Sequence, residues 1–313
     1  MTPPDSTPPA ASVVAIGVFD GVHLGHVEIL CRAIERARSF GGRCVVVSFD
    51  PHPDLVLAPA GFRFPAPLTP LPERRRRLLE LGVDEPRVLP FTRELAALEP
   101  EDFVDRHLVP AFQPRALVVG EGFALGRGRT GNVARLARIG ATRGFEVDEV
   151  PLLQVDGEAV SSTRVRAALA EGRVNDAARL LGRDYGFAAT VVPGHGIGRA
   201  LGYPTANLRL HEEQMLPGDG IYAARIRLGE DPLWRPAAMS IGVRPTFDGR
   251  VRQIEAFVLD WSGDLVGAGV EVRMIDWLRQ EIRFESPEAL VNAMDNDIKE
   301  VRRRLGVGGL AAH

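Results

Sequence analysis

The chain has 313 residues, 45% hydrophobic and 25% charged, which places it among ordinary globular proteins and excludes the disordered and fibrous classes. That length exceeds what one hydrophobic core usually serves, so two domains are expected. The 38 basic and 41 acidic residues leave a net charge of −3, a balance that points to neither nucleic acid nor an anionic membrane, so any anion site must be local.

Residues 1–11, rich in Pro, Ser and Thr, and residues 307–313 read as disordered tails. The first lacks a basic segment followed by an apolar core, and no run of eighteen apolar residues occurs in the sequence, so a cytoplasmic protein is expected. From residue 12 onward, apolar strand candidates at 13–18, 43–49, 86–90, 115–120 and 146–150 alternate with helical stretches such as 27–39, 70–81 and 101–110. Such alternation predicts a doubly wound α/β domain around a parallel sheet, with ligands beyond the carboxyl ends of its strands at a topological switch point.

The first of those ends carries Gly17-Val18-Phe19-Asp20-Gly21-Val22-His23-Leu24-Gly25-His26. A strand, a Gly-rich turn and a helix in succession put backbone N–H groups and the positive end of the helix dipole where a phosphate can sit. His23 and His26 add donors suited to the negative charge that builds up during attack on a phosphate. The competing reading is a plain turn with two structural histidines. Two further loops, Asp50-Pro51-His52-Pro53 and Gly120 to Gly131, fall at the same end of the expected sheet. The run Arg74-Arg75-Arg76-Arg77, with Glu73 and Glu80 near, reads as one exposed helix face. Cys31 and Cys44 offer neither a disulfide framework nor a metal-ligand spacing and read as reduced core thiols. Ser161, Ser162, Thr163 and Arg166 begin a helix with hydroxyl and guanidinium donors. These suit a triphosphate at a helix N-terminus or, alternatively, an ordinary hydroxyl cap.

After residue 184 the texture changes to short β-branched runs, Ala188 to Val192, Ile221 to Arg227, Ala237 to Ile241, Gln253 to Leu259 and Val270 to Ile275, which predict a small antiparallel barrel. A helix from Glu288 to about Leu305 follows, signalled by Ser286 as N-cap and Pro287 at its first position. At the head of the barrel, Gly194, Gly196 and Gly198 let the backbone approach a phosphate, and Pro204-Thr205-Ala206-Asn207 places a hydroxyl and an amide oxygen two residues apart, where they can hold a hard cation such as Mg²⁺. A plain Gly-rich loop is the alternative. Glu255, a carboxylate on the otherwise apolar run Ile254 to Leu259, either pairs structurally or serves as a base.

Four strings of the first half, Gly17 to His26, Asp50 to Pro53, Ser161 to Arg166 and Leu180-Leu181-Gly182-Arg183, resemble in order and spacing the motifs of bacterial FAD synthetases of the nucleotidyltransferase superfamily. Five strings of the second half resemble riboflavin kinases fused behind that module. They are Pro204 to Asn207, Gly220 to Ala223, Ser240 to Phe247, Ile254 to Asp260, and Leu278 to Ser286, the last leading into the final helix. The resemblance implies an FMN adenylyltransferase domain over 12–184 and a riboflavin kinase domain over 185–306. It implies ATP and Mg²⁺ in both, with riboflavin and FMN as the other substrates. By the same resemblance His23 and His26 hold ATP phosphates, with Gly17, Phe19, Asp20 and Gly25 of the same turn. Ser161, Ser162, Thr163 and Arg166 grip the nucleotide, and Asp50 and His52 shape the site. Glu255 takes the proton of the riboflavin 5′-hydroxyl, Thr205 and Asn207 hold the metal, and Arg279 and Glu281 lie beside the flavin. Four positions depart from the family pattern: Gly122 for Asp or Asn, Leu125 for Phe, Ile197 for Arg, and Val266 for Tyr. They motivate two rival expectations, a paralogue with one site inactive or altered in specificity, and a non-catalytic flavin or nucleotide sensor.

Overall fold

The computed structural model describes residues 11–59, 61, 65–194, 198, 202–246, 249–282 and 284–307. The two tails, apart from Ala11 and Val307, fall outside them. Its contacts divide the chain into two compact units, Met1–Ser161 and Ser162–His313.

The first unit contains β1 (Ser12–Ile16), β2 (Arg43–Asp50), β3 (Glu85–Pro90), β4 (Pro114–Gly120), the short pair β5 (Ala124–Leu125) and β6 (Gly131–Asn132), then β7 (Glu146–Val150) and the short pair β8 (Gln154–Val155) and β9 (Glu158–Ala159). The five longer strands form one sheet in the order β3-β2-β1-β4-β7, and every ladder in it is parallel. Val13, Val14, Ala15 and Ile16 of β1 are all buried, as a strand covered on both faces requires. The order runs outward from β1 to β3 and then back across to β4, so the switch point lies at the carboxyl ends of β1 and β4. The expected parallel α/β domain is therefore present, with each strand within two residues of its expected bounds.

The helix Leu24–Arg38 buries Leu30, Ala33, Ile34 and Ala37 against the sheet. Cys31 falls off that stripe and is exposed, so it is not a core thiol; Cys44, at the head of β2, is buried. The arginine run also departs from a uniform exposed face. Arg74 sits on the helix Leu71–Glu80 four residues before Leu78, and both are buried, because positions four apart share a helix face.

The second unit is a closed barrel ordered β10-β11-β14-β13-β12-β15. Its strands are β10 (Tyr185–Val192), β11 (Ala206–Leu210), β12 (Gly220–Leu228), β13 (Trp234–Thr246), β14 (Gly249–Val258) and β15 (Gly269–Arg279), and all pairings are antiparallel. Sequence patterning supplies five of the six; β11 is an addition. Tyr185, Phe187, Ala189 and Val191 alternate inward along β10, the two-residue period of a half-buried strand. The helical pair Ser162–Ala170 and Val174–Leu181 belongs to this unit by its contacts, the Gly218 N–H donating to the Leu169 carbonyl at 2.8 Å. The last helix, Pro287–Leu305, begins as expected: the Ser286 hydroxyl accepts the Ala289 N–H at 3.2 Å and Pro287 takes the first position. Val301 and Leu305 pack on Ala223 and Leu259. Arg279 clamps Asp297 of that helix through two bonds of 2.7 and 2.8 Å.

Candidate active sites

In the first unit the Gly17–His26 turn sits at the switch point, directly after β1. Phe19 (φ 53°) and Gly21 (φ 86°) both adopt left-handed backbone, which folds the turn tightly and buries the Phe19 ring. The first turn of the next helix is capped by His23, whose Nδ1 accepts the His26 backbone N–H at 3.2 Å. That bond fixes the tautomer with the proton on Nε2, leaving a donor at the far side of the ring. The His23 and His26 rings stack with centroids 3.6 Å apart and planes 15° from parallel, and the Phe19 ring meets His26 edge-on at 5.1 Å. A Cβ on Gly25 would stand 3.3 Å from the His23 ring, and one on Gly17 3.2 Å from the Phe19 ring, so both glycines make room for the aromatic packing. The same Gly25 position lies 3.7 Å from the Val160 carbonyl, which brings the chain leading into Ser161 past the histidine turn.

Asp20 lies beneath the turn, 1% exposed. Its carboxylate accepts from the Leu68 N–H at 3.1 Å, the Thr69 N–H at 3.0 Å and the Thr69 hydroxyl at 3.3 Å, while the Arg74 guanidinium stands 3.9 Å away. Arg74 also donates to the Val18 carbonyl at 3.1 Å and the Ser48 hydroxyl at 3.3 Å. Asp20 and Arg74 thus tie the turn to the loop at 68–69 and to β2. Asp50 is exposed at the end of β2. His52 Nδ1 accepts the Asp54 N–H at 3.1 Å and caps the short helix Pro53–Leu57. Ser161 closes the first unit, and Ser162, Thr163 and Arg166 lie on the first helix of the second. Gly122 adopts φ 74°, a conformation that Gly, Asn and Asp share more readily than other residues. Leu125 packs against the Phe103–Leu117 core.

In the barrel, Asn207 of β11 stands opposite Glu255 of β14 in the ladder, and Ser240 of β13 stands opposite Glu255 on its other side. Thr205, just ahead of β11, borders a cavity together with Asn207, and its hydroxyl donates to Glu255 Oε2 at 3.2 Å. A cavity of about 220 Å³ opens here, lined by apolar side chains that include Ile221, Phe257, Leu290, Met294 and Ile298 and also by Glu255, Arg279, Glu281 and Gly198. A second cavity, about 260 Å³, is bounded by Gly194, Pro204, Thr205, Asn207, Trp261 and Val266. Thr205 borders both. A Cβ on Gly198 would run into the Tyr203 backbone carbonyl, so close approach requires glycine there, while one on Gly194 or Gly242 would displace the Asn207 amide or the Glu281 carboxylate. Gly196, His195, Ile197, Arg199, Phe247 and Arg283 lie outside the described residues. Sequence reasoning missed Phe257, Met294 and Ile298, which come together only through the fold, and missed Arg74, which the four-residue spacing to Leu78 signals.

A parallel sheet with paired imidazoles at its switch point, followed by a barrel in which a carboxylate and a hydroxyl meet between two cavities, is the architecture of a two-unit phosphate-transfer protein. A family model for FAD synthetase matches residues 5–164, and one for riboflavin kinase matches residues 181–305. The chain belongs to the family of bifunctional riboflavin kinase/FMN adenylyltransferases. Proteins of that description from Listeria monocytogenes and from Escherichia coli K12 are 35% and 36% identical to it, over 93% and 96% of this chain and 91% and 95% of theirs. One from Pseudomonas fluorescens is 38% identical over 93% of this chain and 92% of its own. A solved structure described as a macrolide-efflux protein from Streptococcus pneumoniae has a TM-score of 0.87 and 31% identity, covering 95% of this chain and 96% of that one. Among the described residues no helix is long and apolar enough to cross a membrane.

Proposed function

We propose that the chain converts riboflavin to FMN in residues 185–306 and FMN to FAD in residues 12–184, using ATP in both steps. The observation that carries the first step is the Thr205–Glu255 pair at the junction of the two barrel cavities. The apolar cavity suits an isoalloxazine ring, with Arg279 and Glu281 in its lining. The cavity bounded by Gly194, Pro204 and Asn207 suits the phosphates of ATP. Glu255 accepts the proton of the riboflavin 5′-hydroxyl as that oxygen bonds to the γ-phosphorus, and the bond from that phosphorus to the ADP oxygen breaks. Among the described residues no cluster of three or more His, Cys, Asp or Glu is placed to hold a metal. The Thr205 hydroxyl and the Asn207 amide are hard oxygen donors that suit Mg²⁺ arriving with the nucleotide, which when bound neutralises phosphate charge.

In the second step a phosphate oxygen of FMN bonds to the α-phosphorus of ATP and pyrophosphate leaves. The His23 Nε2 donor and His26 hold the phosphates, and the N-terminus of the Leu24–Arg38 helix adds its N–H groups. Ser161, Ser162, Thr163 and Arg166 are assigned to the nucleotide, and Asp50 and His52 to the rim of the site. Asp20 acts by fixing the turn. The family matches to 5–164 and 181–305 support this division of labour. With ATP as donor and both cysteines unpaired, the reaction belongs in the cytoplasm. Incubation of the purified protein with riboflavin, ATP and Mg²⁺, followed by chromatography, tests the reading. FMN and then FAD are expected; FMN without FAD assigns a loss to the adenylylation site, neither product from riboflavin but FAD from added FMN assigns it to the kinase site, and no FAD from either start with no FMN from riboflavin overturns the reading.

A further inference from the structure

We propose that Tyr203 is a positioning residue for phosphoryl transfer in the barrel, acting through a hydrogen bond to Asp295 of the last helix. The inference rests on the kinase reading above. Tyr203 lies two residues before Thr205 in the chain, on the segment that leads from the glycine turn into β11. Three contacts hold it. Its backbone N–H donates to the Gly198 carbonyl at 2.8 Å, its ring meets Phe257 edge-on with centroids 5.6 Å apart, and its hydroxyl donates to Asp295 Oδ1 at 2.6 Å.

Each contact reaches a different wall of the site. Gly198 borders the apolar cavity from the glycine turn. Phe257 lies two residues after Glu255 on β14, on the same face, and also lines that cavity. Asp295 sits on the last helix between Met294 and Asp297, both cavity-lining, and Asp297 is clamped by Arg279. The phenol therefore ties the strand entry bearing Thr205 to the helix that walls the flavin side. A phenol donating to a carboxylate makes a short, charge-assisted bond, and the 2.6 Å length fits one. Without that bond the ring can still rest on Phe257, but the Pro204–Thr205 segment loses its tie to the helix. The Thr205 hydroxyl is then no longer held in its place 3.2 Å from Glu255.

The test uses the full chain with Tyr203→Phe, Asp295→Leu, Asp295→Asn and the double variant Tyr203→Phe with Asp295→Leu. Riboflavin phosphorylation and FMN adenylylation are measured on the same preparations. Tyr203→Phe and Asp295→Leu are each expected to lower kcat/KM for riboflavin phosphorylation about five- to tenfold, the loss of one hydrogen bond's worth of positioning, with adenylylation unchanged. The double variant should be no worse than either single one, since both remove the same bond. Asp295→Asn, whose amide oxygen still accepts, should stay within about twofold of the parent. Parental phosphorylation by Tyr203→Phe, additive losses in the double variant, or equal losses of both activities would each overturn the proposal. A parent protein that forms no FMN sinks the kinase reading itself, a result distinct from all of these.

Discussion

His23 and His26 stack face to face at 3.6 Å while the Nδ1 of the first accepts the backbone N–H of the second. The stack and the cap are separable. His26→Ala removes one imidazole but keeps the N–H that His23 accepts, so the helix start survives. FMN adenylylation should fall about 10²-fold or more, the usual cost of losing a donor aimed at developing phosphate charge, with riboflavin phosphorylation unchanged. His23→Ala removes the cap as well and should lower stability by about 1 kcal/mol in addition. Separate assays starting from FMN and from riboflavin check the first, and thermal melts the second. A His26→Ala protein that forms FAD at the parental rate would remove the histidines from the chemistry.

Glu255→Gln separates proton transfer from geometry in the barrel. The amide oxygen of Gln can still accept from the Thr205 hydroxyl, so the cavity keeps its shape while the base is gone. The kcat for riboflavin phosphorylation should drop about 10²- to 10⁴-fold, with little change in the affinity for riboflavin, and FMN should still become FAD. Fluorescence titration with riboflavin and product chromatography read these two quantities apart. Loss of binding with an unchanged kcat would make Glu255 a structural carboxylate.

Asp20 is expected to matter for stability. Removal of its carboxylate in Asp20→Ala leaves the Leu68 and Thr69 donors unsatisfied in a buried place and takes the nearby acid from the buried Arg74. The cost should be about 2–4 kcal/mol, seen as an earlier urea transition. Asp20→Asn, which keeps one acceptor, should lose less. Adenylylation measured well below the transition should fall too, because the turn bearing His23 is held from beneath.

The parallel sheet was legible because alternating apolar runs and amphipathic stretches state their period locally, and the glycine turns because close backbone approach admits few residues. β11 was not: Ala206–Leu210 has a single buried residue, Leu208, and its partners on β10 and β14 lie far away in the chain. The same distance hid the apolar cavity, whose walls come from β12, β13, β14, the end of β15 and the last helix. Arg74 was hidden by its neighbours. Four consecutive arginines look alike in a string, and only the helix phase shared with Leu78 singles out the one that turns inward. The family motifs named Glu255, Thr205 and Asn207, but only the fold, with Asn207 opposite Glu255 in the ladder and the Thr205 hydroxyl on Glu255, brings them together.

The two cysteines should report the fold through their chemistry. Cys44 is buried at the head of β2, and burial, with Asp84 nearby, pushes its thiol up to about 12. Cys31 is exposed on the helix Leu24–Arg38, yet partial burial and the neighbouring Glu28 and Glu35 also raise its pKa. A raised thiol pKa means less thiolate at any given pH, and the thiolate is the reacting form. With a disulfide reagent at about pH 8, near the usual thiol pKa, the native protein should release one equivalent slowly. That rate should climb as pH rises through and beyond the ordinary thiol range. The second equivalent should appear only in urea, when β2 opens. Two fast equivalents from the native protein would mean that Cys44 is not covered by the packing described here.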